Sequence, residues 1–251
     1  YQGIQRLGPQ LQPRFVGGNP PDIMDNSGAN NLDTAALVGQ GQLADLADLF
    51  AAPSYDIPGK TVAETLIPNS QGTGQFSGKQ YALEYAYTVY GVWASSTLLK
   101  NKEWTYPQTW DDMLALCEKI KATGTAPWTY QGKYPVYMQN IFDQLVYKNG
   151  GLAAITQIDN LEPNAWHQDA VKNALDALYE LAQKGYIMKG SEGLTHTESQ
   201  AAWLQGKAVF IPCGSWLENE MKGLIPNNFD MVVNPTPSLK GDKLPFTAVN
   251  A

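Results

Sequence analysis

Apolar and polar positions follow a helical period in several stretches of the chain, and the clearest begins after Thr109. Residues 109–112 resemble a capping box, in which the threonine hydroxyl accepts a hydrogen bond from a free backbone N–H. Gly124 can end the helix. The apolar residues between these points recur every three or four positions: Met113, Leu116, Cys117 and Ile120. This spacing predicts a helix with one buried face.

The same period recurs before the glycines at 150–151 and before Gly185. The apolar positions of the first stretch are Met138, Ile141, Phe142, Leu145 and Val146. Those of the second are Val171, Ala174, Leu175, Leu178 and Leu181. Shorter helices are predicted at 32–38 and 197–204. Leu7, Leu11 and Phe15 also have helical spacing, although Pro13 conflicts with an uninterrupted helix.

Strand patterns separate these helices. Residues 18–28 are predicted to form a turn, a short buried strand and then a polar loop. A long extended strand is predicted at 81–93, which is rich in Tyr, Val and Trp. Two further strands are predicted at 207–211 and 229–233. Helices that alternate with strands predict an α/β protein.

Charge limits the class of partner. Asp and Glu outnumber Lys and Arg by 24 to 17, which gives a formal net charge of −7. Nucleic-acid phosphates need clustered Lys and Arg, and the basic residues here are scattered, so we expect no nucleic-acid partner. No uninterrupted apolar run approaches the length of a membrane span.

The chain has two cysteines, Cys117 and Cys213, and two histidines, His167 and His196. Two cysteines cannot make a disulfide framework, and the histidines lie far from both. No group has the spacing of metal ligands. We expect both cysteines to be small buried residues, and we expect no metal and no cofactor.

Aromatic content is unusual, with 7 Trp and 13 Tyr beside only 7 Phe. Trp and Tyr combine a flat apolar face with a polar group, which suits surfaces that meet partly polar ligands. Many such residues also line cores, so the count alone does not define a site.

Four short segments, in order along the chain, resemble those of the family 1 extracellular solute-binding proteins, the sugar-binding components of ABC importers. They are residues 18–27, 78–93, 107–112 and 206–216. The third reads P-Q-T-W-D-D, and the fourth contains G-K-A-V followed by G-S-W. The strings at 11–16 and 20–28 further resemble the N-acetylglucosamine/diacetylchitobiose-binding lipoprotein branch of high-GC Gram-positive bacteria.

The resemblance implies an α/β, two-lobe fold of the periplasmic-binding-protein-like type II class. It implies a partial first lobe over 1–84, an interlobe crossing over 85–93 and the second lobe over 94–230. Residues 231–251 would form the second crossing and the return into the first lobe. The chain starts late and stops early against the family pattern, so we expect truncation at both ends and an incomplete first lobe.

A sugar has hydroxyls around its edge and C–H patches on its faces, so its site needs aromatic platforms with hydrogen-bonding groups around them. The resemblance makes Trp216 the best platform, and the alternative is that it caps the core of the second lobe. Trp128, Tyr134 and Tyr137 crowd a Gly- and Pro-containing segment at 127–137, predicted as a loop. Ordinary loop packing is the alternative for each of these three.

In the first lobe, Asp25, Asn26 and Ser27 follow a predicted strand, where their side chains can meet sugar hydroxyls. A helix cap or an Asx turn explains them equally well. Tyr87 lies in the first crossing, where its side chain can reach a ligand. Its neighbours Tyr85 and Tyr90 are candidates for the core.

The expected function is extracytoplasmic capture of an amino sugar or oligosaccharide, of the N-acetylglucosamine or chitobiose type, in an interlobe cleft. The resemblance implies importer permease subunits as partners and no chemical step. It also implies a secreted protein or one lipid-anchored at the outer face of the cytoplasmic membrane, through an N-terminal anchor absent from this chain. We expect a monomer.

Two alternatives remain open. A glycoside hydrolase acting on chitooligosaccharides needs two carboxylates around the bond, and Asp143 and Glu218 are candidates. The same fold can also bind a non-sugar solute. A polyamine site needs several acidic residues beside aromatic ones, and the segment at 127–137 contains no Asp or Glu.

Overall fold

The computed structural model describes residues 3, 7–27, 30–68 and 70–239. The chain divides into two compact units, the first ending at Tyr87 and the second beginning at Thr88. Of the second crossing and return segment expected over 231–251, residues 240–251 lie outside the described residues. The lobe and crossing boundaries expected from the sequence stay a prediction.

The described part of the first unit carries short helices and a small hairpin. Asp33 caps α2 by accepting a hydrogen bond from the Ala36 N–H at 3.0 Å. The described elements are α1 (Leu7–Val16), α2 (Thr34–Gly39), α3 (Ala47–Ala51), β1 (Gln75–Phe76) and β2 (Lys79–Gln80). The core of the unit contains Leu11, Phe15, Leu32 and Leu37. The helical spacing predicted α1, which forms with Pro13 inside it.

Two strand predictions need correction. No strand forms among the described residues of the run 18–28, and Ile23 is 91% exposed. Pro20 and Pro21 lack an N–H, so they cannot donate to a neighbouring strand. The strand predicted at 81–93 begins only at Tyr90, where a partner strand supplies hydrogen bonds.

The second unit is built around a four-stranded mixed sheet. Its strands are β3 (Tyr90–Ser95), β4 (Ala126–Trp128), β5 (Ala208–Gly214) and β6 (Met231–Asn234). The strand order is β4-β5-β3-β6, with β3 antiparallel to both neighbours and β4 parallel to β5. Every residue of β5 is buried. The sequence predicted β5 and β6 to within a few residues.

Helices cover this sheet. Those described are α4 (Ser96–Asn101), α5 (Trp110–Ala122), α6 (Val136–Asp159), α7 (Asp169–Gln183), α8 (His196–Leu204) and α9 (Leu217–Met221). Helix α5 confirms its prediction, because Thr109 accepts from the Asp112 N–H at 3.2 Å and the four predicted apolar residues are buried. Helix α6 is interrupted at Gly151, which has a φ of 74°. The helical pattern therefore breaks where predicted, but the chain continues as a helix beyond it.

The core packs on both faces of the sheet. Val92 and Ala94 belong to one buried cluster and Trp93 to the other, because successive side chains of a strand point to opposite faces. Cys117 and Cys213 are free and buried, as predicted. Leu175, predicted on the buried face of α7, is 55% exposed, and Ala177 is buried on that helix instead.

Candidate ligand-binding site

Trp216 comes two residues after the end of the central strand β5 and immediately before α9. Its six-membered ring lies over Gly214, where a Cβ would be 1.9 Å from Cζ3 and 2.4 Å from Cε3 of the indole. Only a residue without a side chain leaves that space. Gly214 therefore supports one part of the indole, and Trp216 is half-buried.

Two tyrosines contact the Trp216 ring. Tyr90, the first residue of β3, lies with its ring centroid 5.2 Å away at an interplanar angle of 84°. Tyr137, in the first turn of α6, lies 6.2 Å away at 63°. Both are edge-on arrangements, which aromatic pairs favour. Burial is the largest cause that raises the pKa of Tyr137 far above its usual range, so its hydroxyl is neutral at pH 7.

A carboxylate lies one helical turn after Trp216. Glu220 accepts a hydrogen bond from Gln200 Nε2 at 2.8 Å, and its Oε1 lies 3.4 Å from His196 Nε2. The hydrogen bond with His196 is the first cause that lowers the Glu220 pKa; Gln200 and the Trp216 indole act in the same direction. The Tyr134 ring packs on His196 at 5.5 Å. We name these residues the Trp216 cluster: Trp216, Tyr90, Tyr137, Glu220, Gln200, His196 and Tyr134.

The structure brings together three residues predicted for the second lobe: Trp216, Tyr134 and Tyr137. It places Trp128 elsewhere. Trp128 ends β4, is 1% exposed and packs on Phe210 at 5.5 Å. The Pro and Gly residues around it suggested a loop, but pairing of β4 with β5 takes Trp128 into the core, where its faces cannot stack on a ligand.

In the first unit, the three residues at 25–27 have different surroundings. Asn26 donates to the Leu32 carbonyl at 2.9 Å and accepts from the Leu32 N–H at 2.8 Å, so it holds its own loop together. Asp25 accepts from the Ser27 N–H at 2.9 Å, which is an Asx-type turn, and from the Tyr85 hydroxyl at 2.7 Å. Asp25 and Ser27 are exposed, and Tyr87 is 56% exposed.

Sequence reasoning missed the polar part of the Trp216 cluster, although a signal was present. His196 and Gln200 are four residues apart on α8, and Trp216 and Glu220 are four residues apart at α9. Residues at this spacing lie on one face of a helix. What the sequence did not show is that the two faces meet. Tyr90 was considered for the core and is also part of the cluster.

The carboxylates considered for glycoside hydrolysis lie on different helices. Asp143 is on α6, where burial and then the charge of Asp159 raise its pKa to about 6. Glu218 is exposed on α9. Within the described ranges there is no group of three His, Cys, Asp or Glu residues that could hold a metal ion. In the same part of the chain, no helix has the length and apolarity to cross a membrane.

Comparison with known proteins adds the family context. The family described as bacterial extracellular solute-binding protein matches residues 1–243. The chain is 36% identical over 248 residues to the diacetylchitobiose-binding protein NgcE of Streptomyces coelicolor, covering 98% of this chain and 52% of that protein. It is 24% identical over 223 residues to a multiple sugar-binding protein of Streptococcus mutans, covering 85% and 49%. The chain spans about half the length of these curated relatives, which are named as binding proteins and not as enzymes.

Solved structures agree in fold. A chitin oligosaccharide binding protein superimposes with a TM-score of 0.77 at 24% identity, covering 96% of this chain and 59% of that one. The solute-binding protein RafE, solved in complex with raffinose, gives a TM-score of 0.72 at 20% identity, covering 94% and 59%. These likenesses confirm the expected fold class, an α/β fold of the periplasmic-binding-protein-like type.

Proposed function

Because this chain belongs to the bacterial extracellular solute-binding protein family, we propose that it captures a sugar outside the cytoplasm for an ABC importer. The observation that carries this proposal is the Trp216 platform. One part of the indole rests on Gly214, two tyrosines pack edge-on against it, and Trp216 stays partly exposed. A partly exposed indole held in one orientation suits the C–H face of a sugar ring.

The ligand proposed is an amino sugar or oligosaccharide of the N-acetylglucosamine or chitobiose type. A relative 36% identical to this chain is named for binding diacetylchitobiose, which supports that class. Such a sugar carries hydroxyls and acetamido N–H groups around its apolar faces. Glu220 supplies acceptors for such donors beside Trp216, and the neutral Tyr137 hydroxyl can donate or accept.

The remaining proposed contacts belong to the first unit. Asp25 and Ser27 present a carboxylate and a hydroxyl at an exposed turn, and Tyr87 presents a phenol ring that is 56% exposed. Asn26 supports this turn through its bonds to Leu32. We propose that closure of two lobes around the sugar gives the signal that the importer permease recognises. The protein acts as a monomer, secreted or held at the membrane by an N-terminal lipid anchor.

Titration of intrinsic tryptophan fluorescence tests the proposal. Mono- and disaccharides, diacetylchitobiose among them, are expected to change the emission of the purified protein in a saturable way. No response to any of these sugars, together with a response to spermidine, would overturn the sugar assignment. Incubation with chitooligosaccharides is expected to leave them intact, and release of shorter products would favour a hydrolase.

A further inference from the structure

Glu220 is held in place by side chains from a neighbouring helix. Gln200 on α8 is fully buried and donates to Glu220 Oε2 at 2.8 Å. His196, at the start of the same helix, lies 3.4 Å from Glu220 Oε1. The start of α8 is itself fixed by a capping box between Thr195 and Glu198. The carboxylate therefore has a defined position and not the freedom of an ordinary surface glutamate.

This carboxylate is next to the platform. The Glu220 N–H donates to the Trp216 carbonyl at 2.9 Å, which places the two residues one helical turn apart. Side chains at this separation are neighbours on a helix surface. A sugar ring stacked on Trp216 therefore has its edge beside a fixed negative group.

The negative charge is not neutralised by a permanent cation. Among the residues that the structure describes, His196 is the basic side chain that comes within 4.0 Å of the Glu220 carboxylate. Histidine is charged only when protonated. Within the described residues, no Lys or Arg side chain forms an ion pair with this carboxylate.

We propose that Glu220 sets the charge selectivity of the sugar site, and this inference rests on the proposed function. The carboxylate favours sugars that present an O–H, an acetamido N–H or an ammonium group beside the stacked ring. It disfavours sugars that carry a carboxylate there, because like charges placed together weaken binding. Glucosamine-containing, partly deacetylated chitooligosaccharides are then ligands along with the acetylated ones, and uronic-acid oligosaccharides bind more weakly than either.

Calorimetric titration with three disaccharides of similar size tests this inference. The probes are diacetylchitobiose, which is neutral, the β-1,4-linked glucosamine disaccharide, which is cationic, and a β-1,4-linked disaccharide that contains glucuronic acid. In Glu220→Gln, affinity for the cationic probe relative to diacetylchitobiose is expected to fall about tenfold, and affinity for the anionic probe to rise about tenfold. Glu218→Gln, on an exposed residue of the same helix, is expected to leave all three within about twofold.

The outcomes separate this inference from the proposed function. If diacetylchitobiose binds but the ratios of affinity are the same in Glu220→Gln as in the unaltered protein, the charge-selectivity inference is wrong and sugar binding stands. If no disaccharide binds the unaltered protein, both fail. Should Glu220→Gln not fold, Glu220→Ala, which also removes the charge, is measured with the same three probes. Unchanged ratios of affinity in that variant contradict the inference.

Discussion

The six-membered ring of Trp216 lies so close over Gly214 that a Cβ there would come within 1.9 Å of Cζ3. Gly214 is also the last residue of β5 and pairs with Tyr90 of β3. Tyr90 in turn packs its ring on Trp216. The pairing at the end of these two central strands and the orientation of the platform are therefore coupled.

Gly214→Ala is expected to displace the Trp216 ring, because the new methyl group occupies its space. We expect sugar affinity to fall at least about tenfold and the free energy of unfolding to fall by about 1–3 kcal/mol, a typical cost of overpacking. Calorimetric titration and urea unfolding measure the two effects. Gly223→Ala is the control, because a Cβ at that position has no neighbour within 4 Å. Unchanged sugar binding in Gly214→Ala would show that the position of the indole does not matter.

Trp216→Ala removes the platform itself. We expect about 100-fold weaker sugar binding, in the range of a central aromatic contact. The free energy of unfolding should fall by only about 1–2 kcal/mol, because the side chain is half-buried. Trp166→Ala removes another tryptophan, 53% exposed and outside the cluster, and is expected to leave affinity unchanged. A large loss of stability with full sugar binding would instead make Trp216 a cap of the core.

The helices and central strands of the second unit were predictable because their signals are local. Thr109, the apolar positions of α5 and Gly124 specify that helix without any knowledge of its neighbours. Ile23 and Trp128 show the limit of such signals. A strand needs a partner, so the residues at 22–24 stay unpaired in this structure, while β4 forms beside β5 and buries Trp128.

The site was predictable only in part for the same reason. Trp216, Tyr134 and Tyr137 were predicted as ligand contacts from their residue type and from the family resemblance; the structure places them in one cluster, and their contact with a ligand stays a prediction. The partnership of Glu220 with Gln200 and His196 depends on how α8 packs against α9, a non-local contact that spacing along the chain does not reveal.

Thr236→Val tests a buried hydrogen-bond link to the backbone of Tyr90. The Thr236 hydroxyl donates to Gln144 Oε1 at 2.8 Å, and Gln144 donates to the Tyr90 carbonyl at 3.2 Å. Valine keeps the shape but leaves the Gln144 oxygen without this donor, so the free energy of unfolding should fall by about 1–3 kcal/mol. Urea unfolding measures the change. Thr197→Val, on an exposed position of α8, should change it by less than about 0.5 kcal/mol. Equal losses in the two variants would contradict a specific role for the buried hydroxyl.

Asp143→Asn should stabilise the protein at pH 7. Burial, and then the charge of Asp159, raises the Asp143 pKa from 3.8 to about 6. The folded state therefore holds the proton more tightly than the unfolded state, and stability falls as pH rises through that window.

Asparagine cannot ionise, so Asp143→Asn removes the free-energy cost of holding a charged carboxylate at this partly buried position. We expect the free energy of unfolding to rise by about 1 kcal/mol at pH 7. This is less than the full pKa shift implies, because solvent screens a partly exposed group. Near pH 3.5 we expect no gain, because Asp143 is mostly protonated in both the folded and the unfolded state. Urea unfolding at both pH values measures the effect. Asp56→Asn, at an exposed loop position, is the control for the substitution itself and is measured at the same two pH values. A gain for Asp143→Asn that is the same at both would contradict the titration account.

The direct test of the Trp216 platform is a crystal structure of the protein with diacetylchitobiose. One sugar ring is expected to stack on the exposed part of the Trp216 indole, about 3.5–4.5 Å from it. A hydroxyl or acetamido N–H of that sugar is expected within hydrogen-bond distance of Glu220. Density for the disaccharide elsewhere, with no contact to Trp216, would rule out Trp216 as the sugar platform.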